Sequence, residues 1–181
     1  MDPALDDARR RARAIRVIGF DIDGVLTDGR LWYGNDGGEA KAFHVHDGLG
    51  LKLLQQAGIA TAVISARSSE AAQRRLQELG VAHVHLGVRD KLPVFQQIAW
   101  DLGFSWYETA YMGDDLPDLP ILVRAHLAAT VATAVPAVLD RCHWIAGRPA
   151  GAGAVREFAE FVLDAQGRLD ALVSAWCGST P

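Results

Sequence analysis

Residues 21–29 of the chain read DIDGVLTDG and directly follow a mostly apolar run over residues 15–20. A short, β-branched apolar run is typical of a buried strand in a parallel sheet. Asp21 and Asp23 therefore emerge at the carboxyl end of that strand, which is the edge of an open α/β sheet where ligands bind. One carboxylate can act as a nucleophile and the other as a general acid and base, with a hard cation holding the site together.

The rest of the chain alternates strand-like and helix-like runs. Strands are predicted at 16–20, 60–65, 83–86, 109–113 and 127–131, with a short sixth at 143–146, and helices at 49–57, 69–79, 92–102, 119–125 and 155–166. This alternation predicts βαβ units and a mostly parallel sheet flanked by helices, an α/β fold. The length of 181 residues and the 50% apolar content suit one domain over 1–181, with a C-terminal helix and tail over about 153–181.

One segment, at about 28–47, breaks this alternation. The runs LWY (31–33) and KAFHV (41–45) flank the turn-forming cluster GNDGG (34–38). Two β-prone runs around such a cluster predict a β-hairpin, which projects from the edge that carries the acid pair. Its apolar residues need a cover, and another subunit would supply one.

Composition excludes several classes of function. The net charge of −4 argues against a nucleic-acid-binding surface, and the basic run at 9–13 has acidic neighbours that indicate a solvated N-terminal helix or arm. Cys142 and Cys177 show no CxxC spacing, which fits a reduced protein better than a disulfide scaffold or a zinc site. No N-terminal run is apolar enough for a signal peptide or a membrane span, so we expect a cytoplasmic protein with no membrane partner.

Further polar residues follow the other predicted strands. Ser65 ends the second strand, Lys91 opens the helix after the third, and Asp114 and Asp115 follow the fourth. The carboxyl ends of parallel strands share one edge, so these groups converge on Asp21. Acids alone suggest a metal site, whereas a hydroxyl and an ammonium beside them suggest a phosphoryl group bridging metal and protein.

These residues, in this order, resemble the four motifs of the haloacid dehalogenase superfamily of phosphohydrolases. Within it, residues 21–29, 43–50 (FHVHDGLG), 113–120 and 153–157 (GAVRE) are similar to the bacterial 3-deoxy-D-manno-octulosonate 8-phosphate phosphatases. The resemblance implies a Rossmann-like fold, Mg²⁺, a homotetramer, and hydrolysis of this sugar-acid phosphate in the synthesis of lipopolysaccharide. No insertion is large enough for a separate cap domain.

The resemblance and the chemistry agree on the catalytic roles. Both predict that Asp21 attacks phosphorus to form an aspartyl-phosphate, and that Asp23 protonates the leaving alkoxide and then activates water. The cation is expected to take oxygens from the Asp21 side chain, the Asp23 carbonyl and Asp114, and Ser65 and Lys91 are expected to hold the phosphate oxygens. An acid at position 23 favours a phosphatase over a carbon–halogen hydrolase, because a halide leaves unprotonated.

The resemblance also implies which residues contact the sugar acid. The expected contacts are Asp23, His44, Val45, His46, Asp47, Gly48, Arg67, Arg75 and Lys91. Arginine suits a carboxylate-bearing sugar. His46 is an imidazole where relatives often have a basic or amide side chain. Asp115 and Asp118 are expected to orient ligands or cap the following helix rather than to bind the metal directly.

Three other functions compete with this interpretation. A phosphatase for a sialic-type sugar-acid 9-phosphate and a regulatory domain related to nucleotidyltransferases fit the same fold. A non-catalytic phospho-receiver module also groups acids, a hydroxyl and a lysine around Mg²⁺. In receivers, however, the phosphorylated aspartate ends a middle strand, and no base-capable acid lies two residues from it. The phosphatase interpretation is therefore preferred.

Overall fold

The computed structural model describes residues 3–178, in which eight strands and eight α-helices follow one another. The strands are β1 (Val17–Phe20), β2 (Trp32–Tyr33), β3 (Glu39–Ala40), β4 (Ala60–Ser65), β5 (His83–Leu86), β6 (Thr109–Met112), β7 (Leu127–Val131) and β8 (Trp144–Ala146). The helices are α1 (Pro3–Ala12), α2 (Val45–Gln56), α3 (Glu70–Glu78), α4 (Lys91–Asp101), α5 (Leu119–Leu122), α6 (Pro136–Leu139), α7 (Ala154–Ala165) and α8 (Leu169–Trp176).

Six strands form one parallel sheet in the order β5-β4-β1-β6-β7-β8, which confirms the predicted α/β fold. The chain winds outward from β1 to β4 and β5 on one side, and then returns to β6 on the other. The strand order therefore reverses at β1, and such a switch point opens a crevice at the carboxyl ends of the strands. The predicted acid pair follows the strand at this switch point.

Consecutive residues of β1 show that helices cover both faces of the sheet. A Cβ on Gly19 would lie 2.7 Å from the Phe95 ring of α4, whereas the Phe20 ring packs edge-on against Phe158 of α7 at 6.4 Å. Neighbouring side chains in a strand point to opposite faces, so α4 and α7 lie on opposite sides of the sheet. All four residues of β1 are buried, as the apolar run predicts.

After β1 the chain makes one wide turn over residues 22–26. The turn closes with a hydrogen bond of 3.0 Å from the Thr27 amide to the Ile22 carbonyl. Gly24 has a φ of +94°, a region that side chains other than glycine rarely adopt, and a Cβ there would lie 2.0 Å from Asp114 Oδ2. Glycine at this position therefore lets the Asp114 carboxylate approach the turn.

The hairpin forms, but its second strand is shorter and earlier than the sequence predicts. Trp32 pairs with Ala40 and Tyr33 with Glu39, so the strand lies at Glu39–Ala40 rather than at 41–45. Helix α2 begins at Val45 instead of 49, with His44 as its N-cap accepting a hydrogen bond of 3.2 Å from the His46 amide. A histidine cap and two glycines in the first turns hide this helix start from propensity arguments.

The two ends of the chain are helical. Helix α1 packs on α7 with Ala8 and Ala12 buried, and the Gln166 amide donates to the carbonyls of Ala12 and Ile15 at 3.0 and 2.9 Å. Helix α8 extends the C-terminal helical region, and residues 179–181 of the predicted tail lie outside the described residues. Within residues 3–178, none of the helices combines the length and the apolar character that crossing a bilayer requires.

Candidate active site

The sheet brings four of the predicted side chains to one place. Asp21 follows β1, Ser65 is the last residue of β4, Lys91 is the first of α4, and Asp114 follows β6 by two residues. Beside them lies a pocket of about 100 Å³, and its lining residues are Asp21, Asp23, Ser65, Ala66, Arg67, Lys91, Asp115, Pro117 and Asp118. The pocket has room for a group about the size of phosphate.

Lys91 is a buried cation held between two carboxylates. Its Nζ lies 2.8 Å from Asp21 Oδ1 and 2.8 Å from Asp118 Oδ1, and the side chain is 2% exposed. Burial alone would lower the pKa of Lys91, but the charges of Asp118 and Asp21 outweigh it and raise that pKa. The ammonium is therefore a fixed positive charge at the floor of the pocket.

Asp118 orients its surroundings with both oxygens. Oδ1 accepts hydrogen bonds from Lys91 Nζ at 2.8 Å and from the Tyr111 hydroxyl at 3.0 Å. Oδ2 accepts from the backbone amides of Asp114 at 3.1 Å and Asp115 at 3.3 Å. Because both oxygens are engaged, the contacts of Asp118 are those of a residue that positions Lys91 and the Asp114 loop.

Three carboxylates crowd this floor. Asp21, Asp114 and Asp118 each offer an oxygen within 4.8 Å of the others, a grouping able to share one metal ion within residues 3–178. Burial, with repulsion from Asp118, raises the pKa of Asp21 to about 7, and burial, with repulsion from Asp21, raises the pKa of Asp114 to about 7. With all three acids ionised, the cluster would carry more negative charge than Lys91 can balance, and this repulsion adds to the effect of burial on the pKa values of Asp21 and Asp114.

The orphaned oxygen of Asp114 indicates what the cluster lacks. Asp114 Oδ1 is buried and has no hydrogen-bond partner within the described part of the chain. A buried unsatisfied carboxylate oxygen is costly unless a cation or water reaches it. Oxygen ligands with excess negative charge suit a hard divalent ion, so the residues present fit Mg²⁺.

Asp23 faces the hairpin rather than the floor. The ammonium of Lys41, just after β3, donates to Asp23 Oδ1, and Arg67 Nε lies 3.8 Å from Asp23 Oδ2. Sequence reasoning did not single out Lys41 or Glu39. The sequence predicts a hairpin but places its second strand at 41–45, so it does not show that Lys41 lies just after that strand and contacts Asp23.

Arg67 and Ser65 border the same pocket. Arg67 Nη2 donates to Glu39 Oε2 at 2.7 Å and to the Tyr33 hydroxyl at 3.0 Å. Ser65 is 2% exposed, and its Oγ accepts a hydrogen bond of 3.2 Å from the Arg67 amide, which leaves the hydroxyl proton free to donate. The Arg67 guanidinium pairs with the hairpin here.

The remaining predicted substrate contacts lie at the start of α2 and on α3, outside the lining of this pocket. Val45 is exposed, and the rings of His44, the N-cap of α2, and His46, in its first turn, meet edge-on with centroids 4.8 Å apart. The Arg75 guanidinium covers Gly48, where an added Cβ would lie 2.5 Å from Nη2.

Asp47 is buried and has a visible structural role. Its Oδ2 accepts a hydrogen bond of 3.1 Å from the Gly153 amide and its Oδ1 one of 2.9 Å from the Arg156 amide. A carboxylate is favourable at a helix N-terminus, where amides lack partners. Asp47 thus joins the start of α2 to the start of α7, and it links two of the recognised motifs.

Comparison with known proteins places the chain among characterised sequences. It is 38% identical over 168 residues to the 3-deoxy-D-manno-octulosonate 8-phosphate phosphatase of Yersinia pestis, covering 93% of this chain and 90% of the relative. The enzyme of the same name from Escherichia coli K12 is 37% identical over 168 residues, 93% of this chain and 89% of the relative. No family model matches the chain.

Solved structures of similarly named phosphatases also resemble this chain. One is the 3-deoxy-D-manno-octulosonate 8-phosphate phosphatase of Moraxella catarrhalis, solved with magnesium, phosphate and 3-deoxy-D-manno-octulosonate (KDO). It superposes on this chain with a TM-score of 0.92 at 38% identity, over 94% of this chain and 98% of that one. The cobalt-bound Haemophilus influenzae deoxy-D-mannose-octulosonate 8-phosphate phosphatase gives a TM-score of 0.87 at 36% identity, over 92% of this chain and 97% of that one.

Proposed function

The chain belongs to the family of 3-deoxy-D-manno-octulosonate 8-phosphate phosphatases, and from that premise we propose that it hydrolyses this sugar-acid phosphate to KDO and phosphate with Mg²⁺ as cofactor. The observation that carries the proposal is the pocket in which Asp21, Lys91 and Ser65 converge beside the unsatisfied oxygen of Asp114. That arrangement supplies a nucleophile, a phosphate clamp and a cation site at one strand edge.

The reaction divides into two displacements at phosphorus. In the first, an Asp21 oxygen forms a bond to phosphorus while the bond to the sugar oxygen breaks, and Asp23 gives that oxygen a proton. In the second, Asp23 takes a proton from water, whose oxygen attacks phosphorus, and Asp21 is released as a carboxylate. Atoms and charge balance, because Asp23 returns to its first state at the end of the cycle.

The charged floor stabilises the transferring group. Lys91 is already fixed at 2.8 Å from Asp21, and Ser65 has a free hydroxyl proton to donate, so both serve the phosphate oxygens without reorganising. Phosphate-monoester hydrolysis without a catalyst is among the slowest reactions known, and enzymes accelerate such reactions by up to ~10²¹. A preorganised clamp, a covalent step and a cation are all needed for that scale of acceleration.

The metal site uses the acids of the floor. Asp21, Asp114 and the backbone carbonyl of Asp23 would hold the ion, while Asp115 and Asp118 would orient these ligands. A bound Mg²⁺ would supply positive charge that neutralises the phosphate oxygens. The orphaned Asp114 oxygen supports this ligand set.

Recognition of the sugar acid is assigned to residues around the hairpin base. Arg67 borders the pocket, and a sugar carboxylate can replace its Glu39 partner. For Arg75 and the segment His44, Val45, His46, Asp47 and Gly48, contact with the sugar stays a prediction. Asp47 is buried, and both of its carboxylate oxygens already accept hydrogen bonds from amides of α7 and the residue before it, so the structure supports a structural role for this side chain.

We propose the whole chain as one phosphatase domain that assembles into a homotetramer. The hairpin and the start of α2 expose large apolar side chains, with Trp32 58%, Tyr33 64% and Val45 69% exposed. Such a patch beside a site that must exclude water fits a subunit interface in which neighbouring hairpins wall off the sites. Light scattering at micromolar concentration should give the mass of four chains, and a fully active monomer would contradict the proposal.

A phosphate-release panel tests the function. Purified protein with Mg²⁺ is assayed on 3-deoxy-D-manno-octulosonate 8-phosphate, a sialic-type 9-phosphate and simple sugar phosphates, with D21N as the blank. Preference for the octulosonate is expected, and preference for the 9-phosphate would move the substrate to the other sugar acid. Absence of turnover on every ester, p-nitrophenyl phosphate included, would favour the receiver-like module. The cytoplasmic location expected from the sequence stays a prediction, which fractionation of cells tests.

A further inference from the structure

Lys41 is a buried cation near the reacting groups that the recognised motifs do not explain. Its ammonium donates to Asp23 Oδ1, and its side chain is 1% exposed. Lysine is almost never fully buried unless it is paired, because removing an ammonium from water is costly. The fold therefore holds this lysine at one position, and Asp23 is its direct partner there.

A second cation lies at the other oxygen of the same carboxylate. Arg67 Nε is 3.8 Å from Asp23 Oδ2, is buried, and has no hydrogen-bond partner within residues 3–178. Asp23 thus stands between Lys41 on one oxygen and Arg67 on the other. Both cations come from outside the turn that carries Asp23, so the turn alone does not set the orientation of this carboxylate.

Glu39 connects the two cations. Its Oε2 accepts from Arg67 Nη2 at 2.7 Å, and its Oε1 lies 3.6 Å from Lys41 Nζ, buried and without a hydrogen bond. Glu39 begins β3 and Lys41 comes two residues later, just after the strand, a separation that places two side chains on the same side of an extended chain. The hairpin therefore places a charge network against Asp23 in addition to covering the site.

We propose that Lys41 is a positioning residue for Asp23, held by Glu39, and that the hairpin orients the general acid and base through it. This inference rests on the proposed phosphatase chemistry. Lys41 fixes the carboxylate toward the oxygen that leaves and later toward the attacking water. It forms and breaks no covalent bond, and the proton moves only between Asp23, the leaving oxygen and water.

Dependence on the leaving group tests this role. Proton transfer matters most for a poor leaving group, and a general acid typically contributes 10²–10⁴-fold. In K41M, the first-turnover rate of release of the sugar acid from its phosphate, and of phenol from phenyl phosphate, should fall roughly 10–100-fold. Release of p-nitrophenolate, which needs little protonation, should change less than about threefold. A plot of log rate against leaving-group pKa should therefore be steeper in K41M than in the wild type, while KM stays close to the wild-type value.

Matched variants separate positioning from structural damage. K52M removes an exposed lysine of α2 and should keep the wild-type slope. K41R keeps the charge and should recover part of the loss. D23N should give the same steep slope, and D23N/K41M should be little worse than D23N alone, because the two residues act as one unit. If K41M does not fold by circular dichroism, K41Q, which keeps a donor without the charge, takes its place.

Two results would overturn the proposal: a parallel fall for all esters, or rates in K41M equal to the wild type. Failure of the proposed substrate is a separate outcome. If the wild type turns over aryl phosphates but not the sugar-acid phosphate, the substrate assignment fails. In that case, the rates with phenyl phosphate and p-nitrophenyl phosphate still decide the role of Lys41.

Discussion

Asp21 and Asp23 stand two residues apart in the chain, yet opposite kinds of structure surround them. Asp21 belongs to a phosphate side, built on strand ends and defined by Asp21, Ser65, Lys91, Asp114 and Asp118. Asp23 belongs to a hairpin side, defined by Asp23, Tyr33, Glu39, Lys41 and Arg67. The first is buried in the body of the sheet, whereas the second depends on two strands of two residues each.

The difference shows how the site divides its work. On the phosphate side, carboxylates outnumber the one ammonium, and burial raises the pKa of Asp21 and Asp114 to about 7, so this side requires a cation. On the hairpin side, Lys41 and Arg67 balance Asp23 and Glu39. The phosphate side therefore fits the phosphoryl group, which all phosphate esters share. The hairpin side fits the part of the substrate that differs from one ester to another.

Loss of the nucleophile should have the largest effect on the phosphate side. D21N should retain under about one per cent of wild-type turnover, because an amide cannot form the acyl phosphate. Phosphate release from both the sugar-acid phosphate and p-nitrophenyl phosphate measures it. The control is D140N, an exposed aspartate near the end of α6, which should stay fully active. Higher residual activity in D21N would move the nucleophile elsewhere.

Removal of the metal should lower turnover almost as much as D21N does. EDTA should abolish turnover, and Mg²⁺, Mn²⁺ or Co²⁺ should restore it, because a divalent ion would stabilise the ionised forms of Asp21 and Asp114 and neutralise phosphate charge. Ca²⁺ should inhibit, since it favours looser and higher coordination than in-line transfer allows. Full activity after exhaustive chelation, checked by metal analysis, would contradict the scheme.

Paired substitutions should separate the two parts of the substrate. K91M removes the charge that lies 2.8 Å from Asp21 and should lower kcat roughly 10²–10³-fold for every phosphate ester, the range seen for loss of one transition-state donor. R75A should weaken only the sugar-acid phosphate, because p-nitrophenyl phosphate has no carboxylate to bind. Steady-state kinetics on both esters decides the matter. Equal losses in R75A would remove Arg75 from sugar recognition.

A change in pH should alter the affinity of the phosphate side for Mg²⁺. In the metal-free protein the pKa values of Asp21 and Asp114 lie at about 7, above the ordinary 3.8, so the folded state holds these protons more tightly than the unfolded state. Their cost to stability is absent below the ordinary pKa and complete above about 7. Mg²⁺ binds the deprotonated acids, so its affinity should fall roughly tenfold per pH unit below 7 for each proton displaced.

Thermal melts with and without Mg²⁺ at pH 5.5 and 7.5 measure this effect. The rise in Tm on adding Mg²⁺ should be larger at pH 7.5, and D114N should lose most of that difference. An equal Mg²⁺ effect at both pH values would mean that the acids are already ionised in the metal-free protein.

The smallest effect should come from the rim of the hairpin side. Y33F removes the hydroxyl that accepts from Arg67 at 3.0 Å, but Tyr33 is 64% exposed and Arg67 keeps Glu39. A solvated hydrogen bond contributes little, so KM for the sugar-acid phosphate should rise less than about threefold. The matched control is Y107F, a tyrosine that is 62% exposed and lies two residues before the start of β6, at the end of the strand opposite the site. A larger change in Y33F alone would show that the rim orders Arg67.

Much of the architecture followed from pattern. The six strands of the sheet lie at the predicted places, because buried parallel strands are short apolar runs bounded by polar residues that follow them. The start of α2 was missed because its cap is His44, a residue type that rarely signals a helix start. The second strand of the hairpin was displaced because an exposed strand of two residues leaves no periodicity to detect.

The sequence by itself determined the chemistry of the phosphate side. Acids, a hydroxyl and a lysine at strand ends must meet, since parallel strands present their carboxyl ends at one edge. Only the tertiary structure decided three pairings: Asp118 with Lys91, Asp47 with the start of α7, and Lys41 with Asp23. These contacts join residues between 18 and 109 positions apart. Local propensity carries no information about them, because hairpin register and helix packing set the distances.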